Sequence, residues 1–203
     1  MKREHPLFAG CYEAMSKPAE WLGAKSGMNR MRSRLVSRLD GRILEVGAGN
    51  GMNFIHYADG ARVVGVEPDR EMLRRAIPRA NAADARVSLV AADGEALPFA
   101  SESFDAVVSC LVLCTVPDAR RALAEMRRVL RPGGELHFVE HVRARPRWLA
   151  SMQDAVDPGW ARVFAGCHPN RDTKSAIESA GFRIEKMNEG AGGMMIRGRA
   201  LAA

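Results

Sequence analysis

The chain has 203 residues, of which 47% are apolar and 27% charged, and its formal net charge is +6 at pH 7. High apolar content with low net charge excludes a disordered chain, and the length suits one domain. The longest apolar stretch, 106–116, is far shorter than the ~20 residues that span a bilayer, so no integral membrane association is expected. The amino-terminal MKREHPLF lacks the apolar core of a secretory signal, which predicts a cytoplasmic location.

Charged and metal-binding residue types are spread along the chain. Arginine supplies most of the basic charge without forming a tract, which favours solvated helix faces over a nucleic-acid surface. The four cysteines, Cys11, Cys110, Cys114 and Cys167, form no CxxC pair. Together with the histidines they match no zinc spacing, so the sequence predicts reduced thiols and no metal site.

An amphipathic helix is predicted ahead of the first strand. Apolar residues recur there at helical spacing: Trp21, Leu22, Met28, Met31, Leu35, Val36 and Leu39. Such a helix either packs on the flank of a sheet or closes over an active site as a lid. In the second case Tyr12, Trp21 and Met28 would contact substrate. We therefore divide the chain into a helical segment or lid, 1–40, and a single following domain, 41–203.

Short apolar runs alternate with helical patterns from residue 42 onward. Their length and continuity are typical of strands that are buried on both faces. The runs are RILEV (42–46), RVVGVE (62–67), RVSLVA (86–91), FDAVVSC (104–110) and ELHFVEHV (135–142). Helices are predicted near 51–58, 69–80 and 118–130. The alternation indicates βαβ units and a parallel sheet with helices on both faces.

The last quarter of the chain has a different pattern. Asn170 is a predicted N-cap for a helix that runs to Ala180, with Gly181 in the position after its C-cap. FRIEKMN (182–188) and MMIRGRALA (194–202), joined by a glycine-rich link, then predict a β-hairpin. The predicted fold is α/β: a Rossmann-like, doubly wound sheet of seven strands, parallel except for a C-terminal antiparallel hairpin.

A glycine-rich turn, EVGAGNG (45–51), directly follows the first strand and is expected to open a helix. Glycine lets a strand turn sharply and lets a ligand approach the backbone. Free N–H groups at such a helix start favour a carboxylate or phosphate. The dinucleotide fingerprint G-x-G-x-x-G would need glycine at position 52, which is Met52 here.

Acidic residues follow the next two strands. Glu67, 20 residues after Gly47, can accept hydrogen bonds from both hydroxyls of a ribose. Asp93, after the third strand, can accept from an adenine amino group. Three successive strand ends thus predict an adenosyl ligand.

These motifs resemble those of the class I S-adenosylmethionine-dependent methyltransferases. The resemblance runs from about Gly41 to Val142, through ILEVGAGNG, VVGVEPD, AADGEALPF, FDAVVSC and LRPGGELHFVEHV. It implies S-adenosylmethionine as methyl donor and S-adenosylhomocysteine as product. It also implies that the glycine turn holds the methionine part, Glu67 the ribose and Asp93 the adenine. The cofactor-binding residues expected from this resemblance are Glu45, Gly47, Ala48, Gly49, Asn50, Glu67, Pro68, Met72, Asp93, Gly94, Glu95, Cys110 and Leu111.

Three stretches are similar to the alkyl thiol S-methyltransferases of the endoplasmic reticulum. They are CLVLCTV (110–116), VLRPGGELHFVEHV (129–142) and DPGWARVFAGC (157–167). The similarity implies a small-molecule thiol as methyl acceptor, in specialised metabolism or detoxification. That family has an apolar amino-terminal membrane anchor, which this sequence lacks, so its membrane location is not expected here.

Other acceptors match the sequence less well. Nucleic-acid amino-group methyltransferases usually carry [DNS]-P-P-[YFW] after the fourth strand, where this chain has Cys110-Leu111-Val112-Leu113, so no nucleic-acid partner is predicted. Quinone C-methyltransferases often carry paired histidines where Cys114 and Thr115 stand. Nitrogen or carbon methylation of a lipid, quinone or other small metabolite stays the alternative. A relative that only binds the cofactor and regulates a partner is a third hypothesis.

The predicted catalytic groups are histidines near a thiol nucleophile. A thiolate is the reactive form of a thiol, and in-line methyl transfer depends mainly on positioning. His141, at the end of the fifth strand, is the first candidate base and His168 the second. Each has a simpler interpretation, His141 ordering a loop and His168 setting a turn. Trp160, with Phe164, indicates either an apolar acceptor pocket or helix packing.

Overall fold

The computed structural model describes residues 27–202, and a seven-stranded sheet runs through them. The strands are β1 (Arg42–Val46), β2 (Arg62–Val66), β3 (Arg86–Val90), β4 (Phe104–Cys110), β5 (Leu130–His141), β6 (Phe182–Gly190) and β7 (Met195–Ala202). The helices are α1 (Gly27–Val36), α2 (Arg70–Asn81), α3 (Ala119–Val129), α4 (Arg147–Val163) and α5 (Thr173–Ser179), with 3-10 turns at Phe54–His56 and Ala191–Gly193. The predicted substrate contacts of Tyr12 and Trp21 lie outside the described residues.

The strand order is β3-β2-β1-β4-β5-β7-β6. Neighbours from β3 through β5 pair in parallel, whereas β7 is antiparallel to both β5 and β6. This arrangement confirms the predicted α/β fold, with its parallel sheet and C-terminal antiparallel hairpin. None of the helices in the described part of the chain is long and apolar enough to cross a membrane.

The core lies on both faces of the sheet because successive strand side chains point to opposite sides. On one face Ile43 belongs to a buried cluster with Val36 of α1 and Ala76 of α2. On the other, Leu44 belongs to a cluster with Leu123 of α3 and Ile177 of α5. The central strands β1, β2 and β4 bury most of their residues, which is why they are continuous apolar runs in the sequence, whereas β3 at the edge of the sheet has no buried residue.

Two predicted helix features are wrong. Residues 51–58 form no α-helix but only the 3-10 turn Phe54–His56, because the backbone at Gly51 is left-handed (φ +82°) and carries the chain away from a helical path. The N-cap of α5 is Asp172, whose carboxylate accepts from the N–H of Ser175. Asn170 instead donates its side-chain amide to Asp154. The predicted position of Gly181 is confirmed, directly after the C-cap and with φ +84°.

Helix α4 has no counterpart among the predicted elements. Its interior contains Pro158 and Gly159, a pair that ordinarily indicates a turn. The helix nevertheless continues through them, and its buried Gln153 anchors it to the sheet edge. The Gln153 amide donates to the carbonyls of Val142 and Pro169 at 3.0 Å each and accepts from the N–H of Ala144 at 2.7 Å.

Candidate active site

A cavity of about 820 Å³ opens at the carboxyl ends of the parallel strands. In an open α/β sheet this edge is where ligands bind, because the connections that leave the strands there diverge to the two faces. One end of the cavity is formed by the segments that follow β1, β2 and β3. The opposite end is formed by the last turn of α4 and the loop after it, residues 160–168, which we call the α4 wall.

The glycine turn after β1 leaves room for a ligand close to the backbone. Gly47 and Gly49 both adopt positive φ, of 66° and 57°. A Cβ at Gly47 would lie 2.4 Å from Cγ2 of Val112, so this position excludes any other residue. The turn is also tied to β2, since the N–H of Ala48 donates to the carbonyl of Val66 at 2.9 Å.

Glu67 is held rigidly at the end of β2. Its carboxylate accepts from the N–H of Gly49 and from the N–H of Asp69, each at 3.0 Å. Burial raises the pKa of Glu67 to about 7, although both backbone hydrogen bonds act in the opposite direction. Asp69 in turn caps α2 by accepting from the N–H of Met72, which places Met72 in the cavity lining. Carboxylate oxygens have several acceptor sites each, so Glu67 keeps capacity for ligand hydroxyls.

The segment after β3 divides between the cavity and the protein interior. Asp93 lines the cavity, and its carboxylate accepts from the N–H of Glu95 at 3.0 Å. The Glu95 carboxylate instead accepts from the N–H of Asp118, the N-cap of α3. Gly94 is buried against Val46, where a Cβ would come within 2.8 Å of Cγ1. Neither Gly94 nor Glu95 lines the cavity.

The remaining predicted cofactor residues meet in the cavity lining. They come from four strand ends, as the parallel topology requires. They are Glu45, Gly47, Ala48, Gly49, Asn50, Glu67, Pro68, Met72, Asp93, Cys110 and Leu111.

Glu45 belongs to a buried hydrogen-bond network that sequence reasoning missed. Its carboxylate accepts from the amide of Asn53 at 2.8 Å and from the hydroxyl of Tyr57 at 2.7 Å. Asn53 in turn accepts from the guanidinium of Arg32, so the network joins α1 to the end of β1. Burial raises the pKa of Glu45 to about 7. Glu45 is only 1% exposed, so its effect on the cavity passes through Asn53, which holds Arg32, and Arg32 also lines the cavity.

Glu140 is a second buried acid that the sequence analysis did not single out. It is fully buried in β5 and accepts from the hydroxyl of Ser109 at 2.7 Å and the N–H groups of Val112 and Cys114 at 3.1 and 3.2 Å. These bonds fix the loop after β4, in which Leu111 has a positive φ of 61°. Burial raises the pKa of Glu140. Its sequence signal is a charged residue directly after the apolar pair Phe138-Val139.

Part of the α4 wall is aromatic. The rings of Trp160 and Phe164 stack with centroids 4.1 Å apart, and both residues line the cavity. His168 also lines it, and its Nδ1 lies 2.9 Å from the carboxylate of Asp157. The predicted positions of Trp160 and His168 thus fall in the cavity, whereas Met28, in α1, lies outside its lining.

The α4 wall and the segment after it are docked on the loop after β4 by hydrogen bonds to the carbonyl groups of that loop. The N–H of His168 donates to the carbonyl of Cys114 at 2.7 Å. The guanidinium of Arg171 donates to the carbonyls of Leu113 and Val116 at 2.9 and 2.5 Å. Two segments more than 50 residues apart in sequence are thereby held in contact.

This docking brings His141 together with two thiols. The sulfur atoms of Cys114 and Cys167 lie 3.6 Å apart, and Nδ1 of His141 lies 3.5 Å from the Cys167 sulfur. The thiol contact with Cys114, together with the contact with His141, lowers the pKa of Cys167 against the opposing effect of burial. The same contact with Cys167 raises the pKa of His141.

Comparisons with known proteins point to one family. Residues 44–138 match the family model described as a methyltransferase domain. The chain is 39% identical to the thiol S-methyltransferase TMT1A of Homo sapiens over 149 residues, which cover 71% of this chain and 61% of that protein. It is 34% identical to a phosphatidylethanolamine N-methyltransferase of Cereibacter sphaeroides over 137 residues, 64% of this chain and 68% of that protein. The chain thus spans about three fifths of the length of the thiol S-methyltransferase it matches.

The fold also matches solved structures. A methyltransferase from Thermotoga maritima, described as a possible histamine N-methyltransferase, superposes with a TM-score of 0.66 at 22% identity. The match covers 93% of this chain and 96% of that one. At this identity the likeness concerns the fold alone.

Proposed function

Because this chain belongs to the S-adenosylmethionine-dependent methyltransferase family, we propose that it methylates the sulfur of a small apolar thiol. The observation that carries the proposal is a single cavity that joins Glu67 and Asp93, at the cofactor end, to the α4 wall. Residues 160–167 of the α4 wall belong to the stretch 157–167 that resembles thiol S-methyltransferases. The identity to a thiol S-methyltransferase over 71% of this chain supports the same acceptor.

The residues at the cofactor end fit an adenosyl ligand. Gly47 and Gly49 line the cavity with left-handed backbone, and at Gly49 the nearest atom to an added Cβ is Met72 Cε at 3.5 Å, so a ligand can approach the backbone there. Glu67 presents a carboxylate that is fixed by two backbone N–H groups and faces the cavity. Asp93, which follows the neighbouring strand β3, supplies a second acceptor to the same cavity.

When bound, S-adenosylmethionine supplies a methyl group that is already activated on a sulfonium sulfur. The protein therefore has to align the acceptor and favour its thiolate form, since the thiolate is the nucleophile. Trp160 and Phe164 give the acceptor an apolar surface and exclude water from one side of the cavity. Arg162 and Arg171, in the same lining, bring positive charge, and a nearby positive charge lowers the pKa of a thiol.

A second candidate function is methylation of an amine on a lipid or small metabolite. The 34% identity to a phosphatidylethanolamine N-methyltransferase favours this alternative. A thiol and an amine with the same carbon skeleton offer the α4 wall the same apolar group. A comparison of such a pair therefore tests the choice of acceptor atom alone.

The test is turnover with methyl-labelled S-adenosylmethionine and paired acceptors, followed by mass spectrometry. Each pair is a thiol and the amine of the same skeleton, for example benzyl thiol and benzylamine. We expect S-methyl product with an equal amount of S-adenosylhomocysteine, above a control without enzyme. N-methyl product alone would favour the alternative. Absence of product from both, with cofactor binding confirmed calorimetrically in the same preparation, would reject the thiol proposal.

A further inference from the structure

Three side chains with metal-binding atoms converge beside the cavity from three separate elements. Cys114 belongs to the loop after β4, His141 is the last residue of β5, and Cys167 belongs to the loop after α4. The two sulfur atoms are 3.6 Å apart, and His141 Nδ1 lies 3.5 Å from Cys167 Sγ and 3.9 Å from Cys114 Sγ. The three ligand atoms therefore form a nearly equilateral triangle.

The triangle has the dimensions of one face of a zinc tetrahedron. Zinc bonds of about 2.3 Å to sulfur and about 2.05 Å to nitrogen place neighbouring ligands about 3.8 Å apart for two sulfurs and about 3.6 Å apart for sulfur and nitrogen. The three distances in the cluster agree with these values to within about 0.3 Å. We propose that Cys114, His141 and Cys167 bind one zinc ion.

The ligand type favours zinc among the common metals. Two thiolates with one imidazole are a soft donor set, which suits zinc or copper(I) and disfavours magnesium and calcium. Both cysteines are buried and His141 is half-buried, so the site is shielded from bulk water on most sides. The negative charge of two thiolates compensates the divalent ion.

The surrounding structure holds the ligand backbones without help from a metal. Glu140 accepts from the N–H of Cys114 at 3.2 Å, and the carbonyl of Cys114 accepts from the N–H of His168 at 2.7 Å. The hydroxyl of Thr173 donates to the carbonyl of His141 at 3.4 Å. Ligands fixed in this way by outer hydrogen bonds lose little freedom when they bind a metal.

The fourth ligand position is open. Among the residues that the structure describes, no further His, Cys, Asp or Glu joins the cluster. His141 and Cys167 line the cavity, so the open position faces the space assigned to the methyl acceptor. Zinc sites with three protein ligands and an open position are typical of catalysis, whereas structural sites have four.

At the open position the zinc would bind the methyl acceptor, a role that rests on the proposed function. An acceptor thiol would replace a bound water, release its proton to solvent and bind as a thiolate. Its sulfur would then form a bond to the methyl carbon, while the bond from that carbon to the donor sulfur breaks and its electron pair stays on the donor. The products are a neutral thioether, which is a weak ligand, and S-adenosylhomocysteine.

The first experiment measures zinc in the purified full-length protein. After equilibration with Zn²⁺ and removal of the excess, we expect one zinc per chain by mass spectrometry, and its loss in Cys114→Ser, Cys167→Ser and His141→Gln. Cys110→Ser is the matched control, because Cys110 lines the same cavity but lies outside the triangle. Zinc retained in Cys114→Ser, or lost equally in Cys110→Ser, would overturn the site. So would a Cys114–Cys167 disulfide in the freshly purified protein that persists under reducing conditions.

The second experiment replaces zinc with Co²⁺ in the wild-type protein. Its result does not depend on any variant, and so it is unaffected by a variant that fails to fold. The wild-type protein is expected to show a thiolate-to-cobalt charge-transfer band and the visible bands of tetrahedral cobalt. Addition of benzyl thiol should strengthen the charge-transfer band as a third sulfur binds. A spectrum that benzyl thiol leaves unchanged would show that the acceptor thiol does not bind the metal. Zinc binding without any S-methyl product would instead contradict the proposed function and leave the metal site intact.

Discussion

The carboxylate of Glu67 accepts a hydrogen bond from the backbone N–H of Gly49 at 3.0 Å, which joins the end of β2 to the glycine turn after β1. Two separate segments of the cofactor end are thereby fixed to each other. The second oxygen of Glu67 accepts from the N–H of Asp69, so the side chain has little freedom to rotate. A carboxylate held in this way needs little reorganisation when a ligand binds.

Replacement of Glu67 by alanine should weaken cofactor binding at least tenfold. Hydrogen bonds to a charged group contribute about 1.5–3 kcal/mol each, and 1.4 kcal/mol is a factor of ten in affinity. Isothermal titration with S-adenosylhomocysteine measures the change. Glu71→Ala is the matched control, because Glu71 pairs with Arg74 and Arg75 on the surface of α2. Equal affinity of wild type and Glu67→Ala would remove Glu67 from the cofactor site.

Cofactor affinity should depend on pH through the same residue. Burial raises the pKa of Glu67 from 4.5 to about 7, so the side chain is largely protonated at pH 6 in the unliganded protein. Ribose hydroxyls donate to the ionised form, so binding favours proton release and the affinity should fall as pH falls below 7, by up to tenfold per unit. Above pH 8 the affinity should be constant.

Glu67→Gln tests the origin of this pH dependence. The variant keeps the side-chain shape but cannot ionise, so its cofactor affinity should be weaker and nearly independent of pH between 5 and 8. If the pH dependence of cofactor affinity seen in the wild type persists unchanged in Glu67→Gln, it belongs to another group.

The raised pKa of Glu67 also affects folding stability, because the native state holds the proton more tightly than the unfolded chain. The contribution of Glu67 to the free energy of unfolding is therefore present below pH 4.5 and lost as pH rises through 7.

The centre of the sheet could be predicted because β1, β2 and β4 are buried on both faces. Runs such as 104–110 are almost entirely apolar, and the predicted and observed bounds of β4 coincide. Helix α4 could not be predicted, since Pro158 and Gly159 interrupt the local signal and tertiary anchoring through Gln153 stabilises the helix regardless. Local propensity is a weak guide wherever such contacts decide the conformation.

The candidate site likewise has a part that could be predicted from the sequence and a part that could not. Glu67 and Asp93 could be predicted, because each directly follows a recognisable strand and parallel strands end at one edge. The cluster of Cys114, His141 and Cys167 could not, because its members lie 26 or more residues apart and meet only when the α4 wall docks on the loop after β4. Metal-ligand spacing along a chain detects sites built by one hairpin or one helix. A site assembled from three elements leaves no such spacing.

Glu140 should act as a positioning residue for the loop that carries Cys114. Glu140→Gln keeps the volume of the side chain but replaces one acceptor oxygen with an NH₂ group, which faces the N–H of either Val112 or Cys114. We expect weaker metal binding and a shifted cobalt spectrum, with cofactor affinity close to that of wild type. Glu140→Ala, which leaves several buried donors unpaired, should in addition lower the free energy of unfolding by about 2–4 kcal/mol.

The cobalt spectrum distinguishes positioning from a general loss of stability. Glu135→Gln is the control, since Glu135 lies on the same strand but pairs with His137 and Arg199 near the surface. A spectrum of Glu140→Gln identical to that of wild type would show that Glu140 stabilises the loop without setting the geometry of Cys114.

Trp160 should set the preference for apolar acceptors. Its ring stacks on Phe164 in the cavity lining, and an aromatic pair contributes about 0.5–1.5 kcal/mol beyond its buried area. Trp160→Ala should therefore raise KM for benzyl thiol roughly two- to tenfold, with a smaller change for a short aliphatic thiol and none in cofactor affinity. The control is Trp148→Ala, on the same helix but 67% exposed and outside the cavity lining. Equal changes in KM for both variants, or for both thiols, would place the acceptor elsewhere than on the Trp160 ring.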